Sequence, residues 1–301
     1  KLIVATDESQ RAQLTQLRST AIANGVTDLE WLEQPKLSER EPALKAIAAL
    51  YSPGTGIVDS QQFIQQLSSD VQHLGGHVLL RHAVIGGEIT AGKSLKQLFL
   101  ATPAGPETIA SKMVINCAGL NASRLLRSVR GYDASTIPQQ YFAKGNYFST
   151  NRTLPFKHLI YPLPSHGGLG IHLTLDLYGG ARFGPDVEWM TEQRLFENTS
   201  DPSMVGLSYS VDAQRASQFE TQIRRYYPGI DTAPLLPNYC GIRSKLVDAG
   251  QPPADFIIQH AKAHGVPHWV NVFGLESPGL TASLALAEKL IEDLMLAQAR
   301  L

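Results

Sequence analysis

The stretch "VINCAGLNAS", residues 114–123, passes from an apolar, β-branched strand straight into small residues and then into a predicted helix start. Strands commonly end in a polar turn, whereas this one ends in Ala118 and Gly119. Small residues at the carboxyl end of a strand let backbone amides and carbonyls approach a flat or phosphorylated ligand, because larger side chains would collide with it. We therefore expect a ligand-binding exit from a sheet, the alternative being ordinary connection geometry.

A second stretch of this kind, "GLESPGLTAS" at 274–283, follows the apolar strand "HWVNVFG" and precedes the last predicted helix. The first amides of that helix would direct partial positive charge toward an electron-rich ligand. Two such exits in one chain suggest that both contact one ligand. The candidate binding residues at the two exits are Ala118, Gly119, Gly274, Ser277, Pro278, Gly279, Leu280 and Thr281.

The composition is that of an ordinary globular protein, with 43% hydrophobic and 18% charged residues among 301. This length allows one large domain or two modest ones. The formal net charge of -1 gives no electrostatic attraction for nucleic acid. Two cysteines without metal-type spacing favour a reducing, cytoplasmic compartment, with peripheral membrane association left open. No apolar run is long enough for an integral membrane segment.

The chain begins on an apolar strand, "KLIVAT", without an initiator Met or a signal peptide. We expect it to be a piece of a longer protein.

The hydrophobic periodicity predicts alternating strands and helices up to about residue 130. Beyond it, aromatic and β-branched runs broken by Gly and Pro predict a mostly antiparallel sheet, and the tail returns to an α/β pattern with a last helix whose broad apolar face should be buried. Asp59 or Ser60 is expected to cap one helix, and Asp212 another. Helices are predicted within residues 8–25, 51–76, 211–229 and 275–299; strand-like runs are predicted at 77–90, 94–102 and 107–116.

Several motifs occur in an order that resembles the FAD-dependent oxidoreductases of the D-amino acid oxidase superfamily, within it the L-2-hydroxyglutarate dehydrogenase/oxidase-like branch. They are "YSPGTGIVDS", "VINCAGLNAS", "AKGNYF", "YPLP" followed by "LGIHLTLD", "CGIRSKL" and "GLESPGLTAS". The resemblance covers nearly the whole chain. It implies an α/β (α+β) fold in which a Rossmann-like FAD-binding domain carries an inserted, mostly antiparallel substrate-binding sheet. The implied boundaries are 51–130 and 255–301 for the FAD-binding domain, and 1–50 and 131–254 for the substrate-binding domain.

The chain departs from this family at its dinucleotide fingerprint. No G-x-G-x-x-G occurs in it, and "GGLG" at 167–170 precedes a strand rather than joining a strand to a helix. We therefore expect the first βαβ unit to be absent and the FAD-binding domain to be incomplete.

Oxidation of a 2-hydroxy acid needs a cation for the carboxylate, a base for the hydroxyl proton and a flavin to take the hydride. Arg243 in "CGIRSKL" is the predicted carboxylate anchor, because a guanidinium binds a carboxylate bidentately and the resembling position in related amino-acid oxidases does so. Lys245, on the same strand face, and Lys144 are candidates for the second carboxylate of a diacid. His172 is the candidate general base. The alternatives are a surface Arg, solvated Lys side chains and a structural His.

Three functions stay open at this point. The first is oxidation of a 2-hydroxy acid such as L-2-hydroxyglutarate with FAD as cofactor, by an electron acceptor that the residues do not indicate. The second is an amine or amino-acid oxidase on the same scaffold. The third is a truncated, noncatalytic fragment, stable as a homo-oligomer or with a partner covering an exposed sheet edge. The pattern indicates no metal site, no serine nucleophile elbow and no phosphate-binding P-loop.

Overall fold

The computed structural model describes residues 1–90, 92–164, 170–190 and 208–298. The strands are β1 (Leu2–Ala5), β2 (Glu30–Glu33), β3 (Ala48–Tyr51), β4 (Ala83–Glu88), β5 (Lys96–Thr102), β6 (Gly105–Ser111), β7 (Val114–Asn116), β8 (Val129–Arg130), β9 (Tyr141–Ser149), β10 (Ile160–Pro162), β11 (Leu173–Leu175), β12 (Ala181–Phe183), β13 (Glu188–Met190), β14 (Leu236–Lys245), β15 (Ile257–Gln259) and β16 (Trp269–Phe273). The α-helices are α1 (Arg11–Ala23), α2 (Lys36–Arg40), α3 (Ser60–His73), α4 (Ala122–Arg127), α5 (Ala216–Ile223), α6 (Ala261–His264) and α7 (Ser283–Gln298).

The chain divides into two compact units, each made of noncontiguous segments. Aside from the residues not described, unit 1 comprises Lys1–His77, Gly145–Glu188 and Tyr209–Gly241, and unit 2 comprises Val78–Lys144, Trp189–Ser208 and Ile242–Leu301. The mixed α/β architecture agrees with the predicted fold class. The predicted domains are defined by the ligand that each would bind, FAD or substrate, and their boundaries stay a prediction. Backbone contacts group the segment 51–77 with unit 1.

Unit 1 is built on the sheet that the aromatic, β-branched sequence runs predict. The sheet order is β13-β9-β12-β11-β10-β1-β3-β2, with β14 pairing beside β9. Strand β1 runs parallel to β10, whereas β3, β11 and β12 pair antiparallel with their neighbours. The prediction of a mostly antiparallel sheet is therefore confirmed.

Helix α5 covers one face of this sheet and fixes which side chains point away from it. Its Phe219 is fully buried and lies 4.6 Å, centroid to centroid, from Phe148 of β9. Ile171 and Leu173 are buried in the same core. Because side chains alternate along an extended chain, His172 between them faces the opposite side. Asp212 caps the turn that precedes α5, as predicted, by accepting a hydrogen bond from the Gln214 amide at 2.9 Å.

Unit 2 contains two smaller sheets. The first has the order β15-β16-β7, in which β7 runs parallel to β16, and the second has the order β6-β5-β4-β8. Trp269 of β16 and Leu126 of α4 are 1% exposed in the core of this unit. The strand "VIN" of the opening motif is thus a short parallel strand against the apolar run "WVNVF".

Several predicted elements differ from the structure in their boundaries. Residues 77–82 are not in a strand, and the run 107–116 breaks into β6 and β7 at a turn. The last helix begins only at Ser283, because Leu280 and Thr281 lie in a turn in which the Ala282 amide donates to the Pro278 carbonyl.

The expectation that the last helix buries a broad apolar face is wrong for much of α7. Leu290 is buried, whereas Leu284 is 54% and Ile291 51% exposed. Helix α3 likewise leaves Ile64 exposed. No described helix is long and apolar enough to cross a membrane.

Candidate functional site

The two predicted exits lie side by side in unit 2, at one edge of the three-stranded sheet. Asn116, the last residue of β7, pairs in register with Asn271 of β16. The carboxyl ends of parallel strands meet at the same sheet edge, so Ala118 and Gly274, which follow the two strands, leave the sheet at that edge. This neighbourhood is the arrangement expected for two exits that contact one ligand.

A buried asparagine pair joins the two exits. Asn271 is fully buried, and its Oδ1 accepts hydrogen bonds from Trp269 Nε1 at 2.9 Å and from Asn116 Nδ2 at 3.2 Å. Asn116 Oδ1 in turn accepts from the Ala118 amide at 3.1 Å. Since buried amide groups are costly to leave unpaired, this network holds the turn after β7 in place. Neither asparagine is among the predicted site residues, although Asn inside the apolar runs "VIN" and "WVNVF" is a signal for a buried polar role.

A cleft of about 370 Å³ opens beside the first exit. Gly119 has a φ of +56°, a conformation that favours glycine, and the space where a side chain would begin is open. The cleft is lined by Ala83, Val84, Leu98, Val114, Ile115, Asn116, Cys117, Ala118, Asn121, Leu125 and Trp269. Cys117 is exposed, and desolvation raises the pKa of its thiol.

The second exit is shaped by close backbone contacts rather than by open space. Gly274 has a φ of +70°, and a Cβ there would lie 2.7 Å from Leu246 Cδ1. A Cβ on Gly279 would lie 2.7 Å from the carbonyl oxygen of Glu276. Both glycines are therefore required by the turn itself. Within the described part of the chain, residues 274–281 do not line the cleft beside Gly119, so the binding roles of Gly274, Ser277, Pro278, Gly279, Leu280 and Thr281 stay predictions.

Lys245 has a carboxylate partner within unit 2. Its Nζ donates to both carboxylate oxygens of Glu276, at 2.8 and 2.9 Å, and both side chains are largely buried. The Trp189 ring lies 5.9 Å from the same Nζ. This ion pair ties the end of β14 to the turn of the second exit. Binding of a substrate carboxylate by Lys245 stays a prediction. That carboxylate would have to displace Glu276 from the Lys245 ammonium group.

Arg243 is half-buried on β14, two residues before Lys245 and on the same strand face. In the part of the chain that the structure describes, no carboxylate lies within 4.0 Å of its guanidinium. A half-buried Arg in this state is available to an anionic ligand. Lys144 is buried on β9, the strand that pairs with β14.

His172 lies in unit 1, on the face of the sheet turned away from α5. Its imidazole stacks on the Tyr161 ring, with the centroids 3.8 Å apart and the planes 8° from parallel. This contact fixes the plane of the imidazole, and burial raises the pKa of the Tyr161 hydroxyl. The contact of Tyr161 with the predicted base could not be predicted from the sequence, because the register between β10 and β11 cannot be read from either strand alone.

Comparison with known proteins agrees with the predicted family. The DAO family model, described as FAD dependent oxidoreductase, matches residues 1–293. An L-2-hydroxyglutarate dehydrogenase of Arabidopsis thaliana is 38% identical over 319 residues, with 96% of this chain and 64% of that protein covered. A glycerol 3-phosphate dehydrogenase of Caloramator mitchellensis is 28% identical, with 97% of this chain and 56% of that protein covered. The chain thus spans somewhat under two thirds of the length of these curated relatives.

Among solved structures, FAD-bound L-alpha-glycerophosphate oxidase of Mycoplasma pneumoniae superposes with a TM-score of 0.77 at 21% identity, covering 97% of this chain and 71% of that one. L-proline dehydrogenase of P. horikoshii gives a TM-score of 0.73 at 16% identity, covering 98% and 72%. These likenesses establish the fold. Taken with the family match over nearly the full length, they show that the chain belongs to the DAO family of FAD-dependent oxidoreductases.

Proposed function

We propose that the protein is a FAD-dependent dehydrogenase or oxidase acting on the CH–OH group of a 2-hydroxy acid such as L-2-hydroxyglutarate. The observation that carries the proposal is the stacked His172, a base on the face of the unit 1 sheet that is turned away from α5. A hydroxyl must lose its proton when its carbon is oxidised, so an alcohol substrate calls for a positioned base. The 38% identity to a plant L-2-hydroxyglutarate dehydrogenase supports the same substrate.

FAD is the cofactor of the family, and the residues at the unit 2 sheet edge fit part of it. The cleft beside Gly119 has predominantly small or apolar walls and two polar side chains, Asn116 and Asn121, which suits a flat ring system with a polar edge. Ala118 and Gly119 leave the backbone open there. We assign these residues to cofactor binding. A grip on the pyrophosphate would have to come from elsewhere, because the 301 residues contain no G-x-G-x-x-G.

In this reaction C2 loses a hydride and its hydroxyl loses a proton, which leaves a 2-oxo acid. Bound FAD would supply the acceptor for the hydride. His172 would accept the hydroxyl proton, with its ring held in one plane by Tyr161. Arg243 stays the candidate for holding a substrate carboxylate, since a guanidinium presents two parallel donors to a carboxylate. Lys144 stays a candidate for the second carboxylate.

The test is anaerobic reduction of the FAD-reconstituted protein. We expect L-2-hydroxyglutarate to bleach the visible flavin absorbance, and D-2-hydroxyglutarate, D-alanine and glycine to leave it unchanged. Bleaching by the amino acids instead would replace the proposal with the amino-acid oxidase alternative. Protein that stays colourless after FAD is added would favour the noncatalytic fragment, and bleaching by glycerol 3-phosphate alone would contradict the diacid.

The cytoplasmic location inferred from the two cysteines stays a prediction, since the plant relative is named as mitochondrial. The electron acceptor and the oligomeric state also stay predictions to be tested. Screening of electron acceptors and light scattering on the purified protein would determine them.

A further inference from the structure

Unit 1 contains a cavity of about 610 Å³ beside the sheet face that carries His172. It is lined by residues of the sheet and by the segment 56–61 that leads into α3. The polar lining residues of the sheet and of the turn after β11 are Tyr161, Thr174, Asp176, Arg182 and Tyr239. Arg182 is the cation among these residues.

The Arg182 side chain is positioned by an aromatic stack. Its guanidinium carbon lies 5.7 Å from the centroid of the Tyr239 ring, which itself stacks on Tyr147 at 4.5 Å with planes 10° apart. An aromatic ring at this distance attracts the guanidinium by a cation–π interaction, which favours the position of the side chain beside Tyr239.

The carboxylate that faces Arg182 is engaged mainly elsewhere. Asp176 Oδ1 accepts hydrogen bonds from the amides of Tyr178 and Gly180, at 2.9 and 2.8 Å. Its Oδ2 lies 3.6 Å from Arg182 Nη2, longer than the 2.7–2.9 Å of a charge-assisted hydrogen bond. A ligand carboxylate could therefore take the guanidinium while the turn at Asp176 stays intact.

The strand register places Arg182 within reach of a substrate at His172. Arg182 pairs directly with Thr174 across β11 and β12, and His172 precedes Thr174 by two residues on the same face. Diagonal neighbours of this kind are roughly 7–8 Å apart. Three C–C bonds of about 1.5 Å separate C2 from C5 of a five-carbon diacid, and a hydrogen bond of about 2.8 Å at each end lets the molecule span the pair. His172 does not itself line the cavity, and its ring stacks on Tyr161, which forms part of the cavity wall.

We propose that this cavity is a dicarboxylate-selecting site in which Arg182 binds the distal carboxylate of the 2-hydroxy acid. The assignment rests on the proposed function for its substrate, and it makes Arg182 the residue that separates diacids from monoacids. Asp176 should weaken ligand binding at this site, since its carboxylate competes with the ligand carboxylate for the Arg182 guanidinium.

The test measures binding of glutarate, a diacid without the reactive hydroxyl, by isothermal titration calorimetry of the purified protein. We expect Arg182→Ala to weaken glutarate binding about 10- to 100-fold, the loss of a charged hydrogen-bonded contact, and Arg182→Lys to recover part of it. Asp176→Asn, which keeps an acceptor for the turn amides, should strengthen binding. Arg152→Ala, at an exposed loop arginine of the same unit, is the matched control and should leave binding unchanged.

The kinetic arm uses the FAD-reconstituted protein with L-2-hydroxyglutarate and L-2-hydroxyvalerate, which have the same carbon count. Arg182→Ala should lower kcat/KM for the diacid and spare the monoacid. Equal losses for both substrates, unchanged glutarate binding in Arg182→Ala, or tighter binding of inorganic phosphate than of glutarate would overturn the assignment. Wild-type protein that binds glutarate through Arg182 but never oxidises the hydroxy acid would contradict the proposed function alone.

Discussion

At the residue scale, the sequence Ile171-His172-Leu173 shows what the alternation of side chains along an extended chain can predict. Two buried apolar neighbours predict that the middle side chain faces away from the core, and the structure confirms this orientation. What the alternation could not predict is the partner of the imidazole, because Tyr161 comes from another strand. The side-chain orientation along one strand can be predicted from that strand's own sequence. The Tyr161 ring that positions the base comes from a neighbouring strand, so its contact depends on how the sheet pairs.

We expect His172→Gln to lower kcat about 10²- to 10⁴-fold, the usual contribution of a general base, with a smaller effect on KM. Tyr161→Phe keeps the ring and should retain most activity, whereas Tyr161→Ala removes the stacking surface and should lower kcat. Steady-state kinetics on the FAD-reconstituted protein checks both. A His172→Gln enzyme with the wild-type kcat would remove this residue from the reaction.

His264 gives unit 2 a pH-dependent stability. Burial lowers the pKa of His264 from its ordinary value of 6.5, so the unfolded chain takes up a proton at a higher pH than the folded one. The stability that depends on the neutral ring is complete above about pH 6.5 and is lost as the pH falls below it, down to the folded pKa. Protonation would also end the hydrogen bond that His264 Nδ1 accepts from the Val266 amide at 3.2 Å.

We therefore expect the denaturant midpoint of the wild-type protein to fall between about pH 7 and pH 5 more steeply than that of His264→Gln. His77→Gln removes an exposed imidazole and serves as the matched control, with the wild-type slope. Parallel slopes for wild type and His264→Gln would show that another group causes the loss.

At the element scale, helix α3 begins where the sequence predicts, because the signal for its start is local. Asp59 accepts a hydrogen bond from the Gln62 amide at 3.0 Å, which satisfies one donor of the first turn. Helix α7 begins only at Ser283, well inside the predicted stretch 275–299, since the turn after Pro278 is stabilised by its own backbone hydrogen bonds before the helix begins. A helix cap can be predicted from sequence more easily than a turn that precedes the helix and shifts its first residue.

Asp59→Ala should destabilise the first turn of α3 by about 0.5–2 kcal/mol. Asp59→Asn retains a side-chain acceptor and should change it little. Because α3 is largely exposed, the effect is best measured by hydrogen exchange of the amides at 61–66, where Asp59→Ala should exchange faster. If the alanine and asparagine variants exchange alike, the observed hydrogen bond to Gln62 does not hold the turn.

The Lys245–Glu276 ion pair joins strand β14 to the turn of the second exit. Removing either partner leaves the other charge largely buried, which costs more than the pair contributes. We expect Lys245→Met and Glu276→Gln each to destabilise the protein, and the double variant to lose less than the sum of the two. A double-mutant cycle by urea denaturation should give a coupling of about 1–3 kcal/mol. Strict additivity would mean that the turn is held without this pair.

At the scale of the whole molecule, the sequence predicts which types of secondary structure and sheet occur better than it predicts which distant segments contact each other. The change to aromatic and β-branched runs near residue 131 predicts the mostly antiparallel sheet, and the two small-residue exits predict contact with one ligand. The contacts that define the candidate site join distant segments: Asn116 and Asn271 are 155 residues apart, and Lys245 and Glu276 are 31 apart. Such pairs depend on strand order and register, for which a single sequence carries no local signal.

Cys117 offers a direct test of whether FAD occupies the cleft beside Gly119. Its thiol lies in the cleft lining and is exposed, whereas Cys240 is buried. Because desolvation raises the pKa of Cys117, iodoacetamide labelling should be run at alkaline pH, where the reactive thiolate is populated. We expect FAD to slow alkylation of Cys117 severalfold by mass spectrometry, and Asn271→Ala to reduce this protection. Unchanged labelling while fluorescence reports bound FAD would place the flavin outside this cleft.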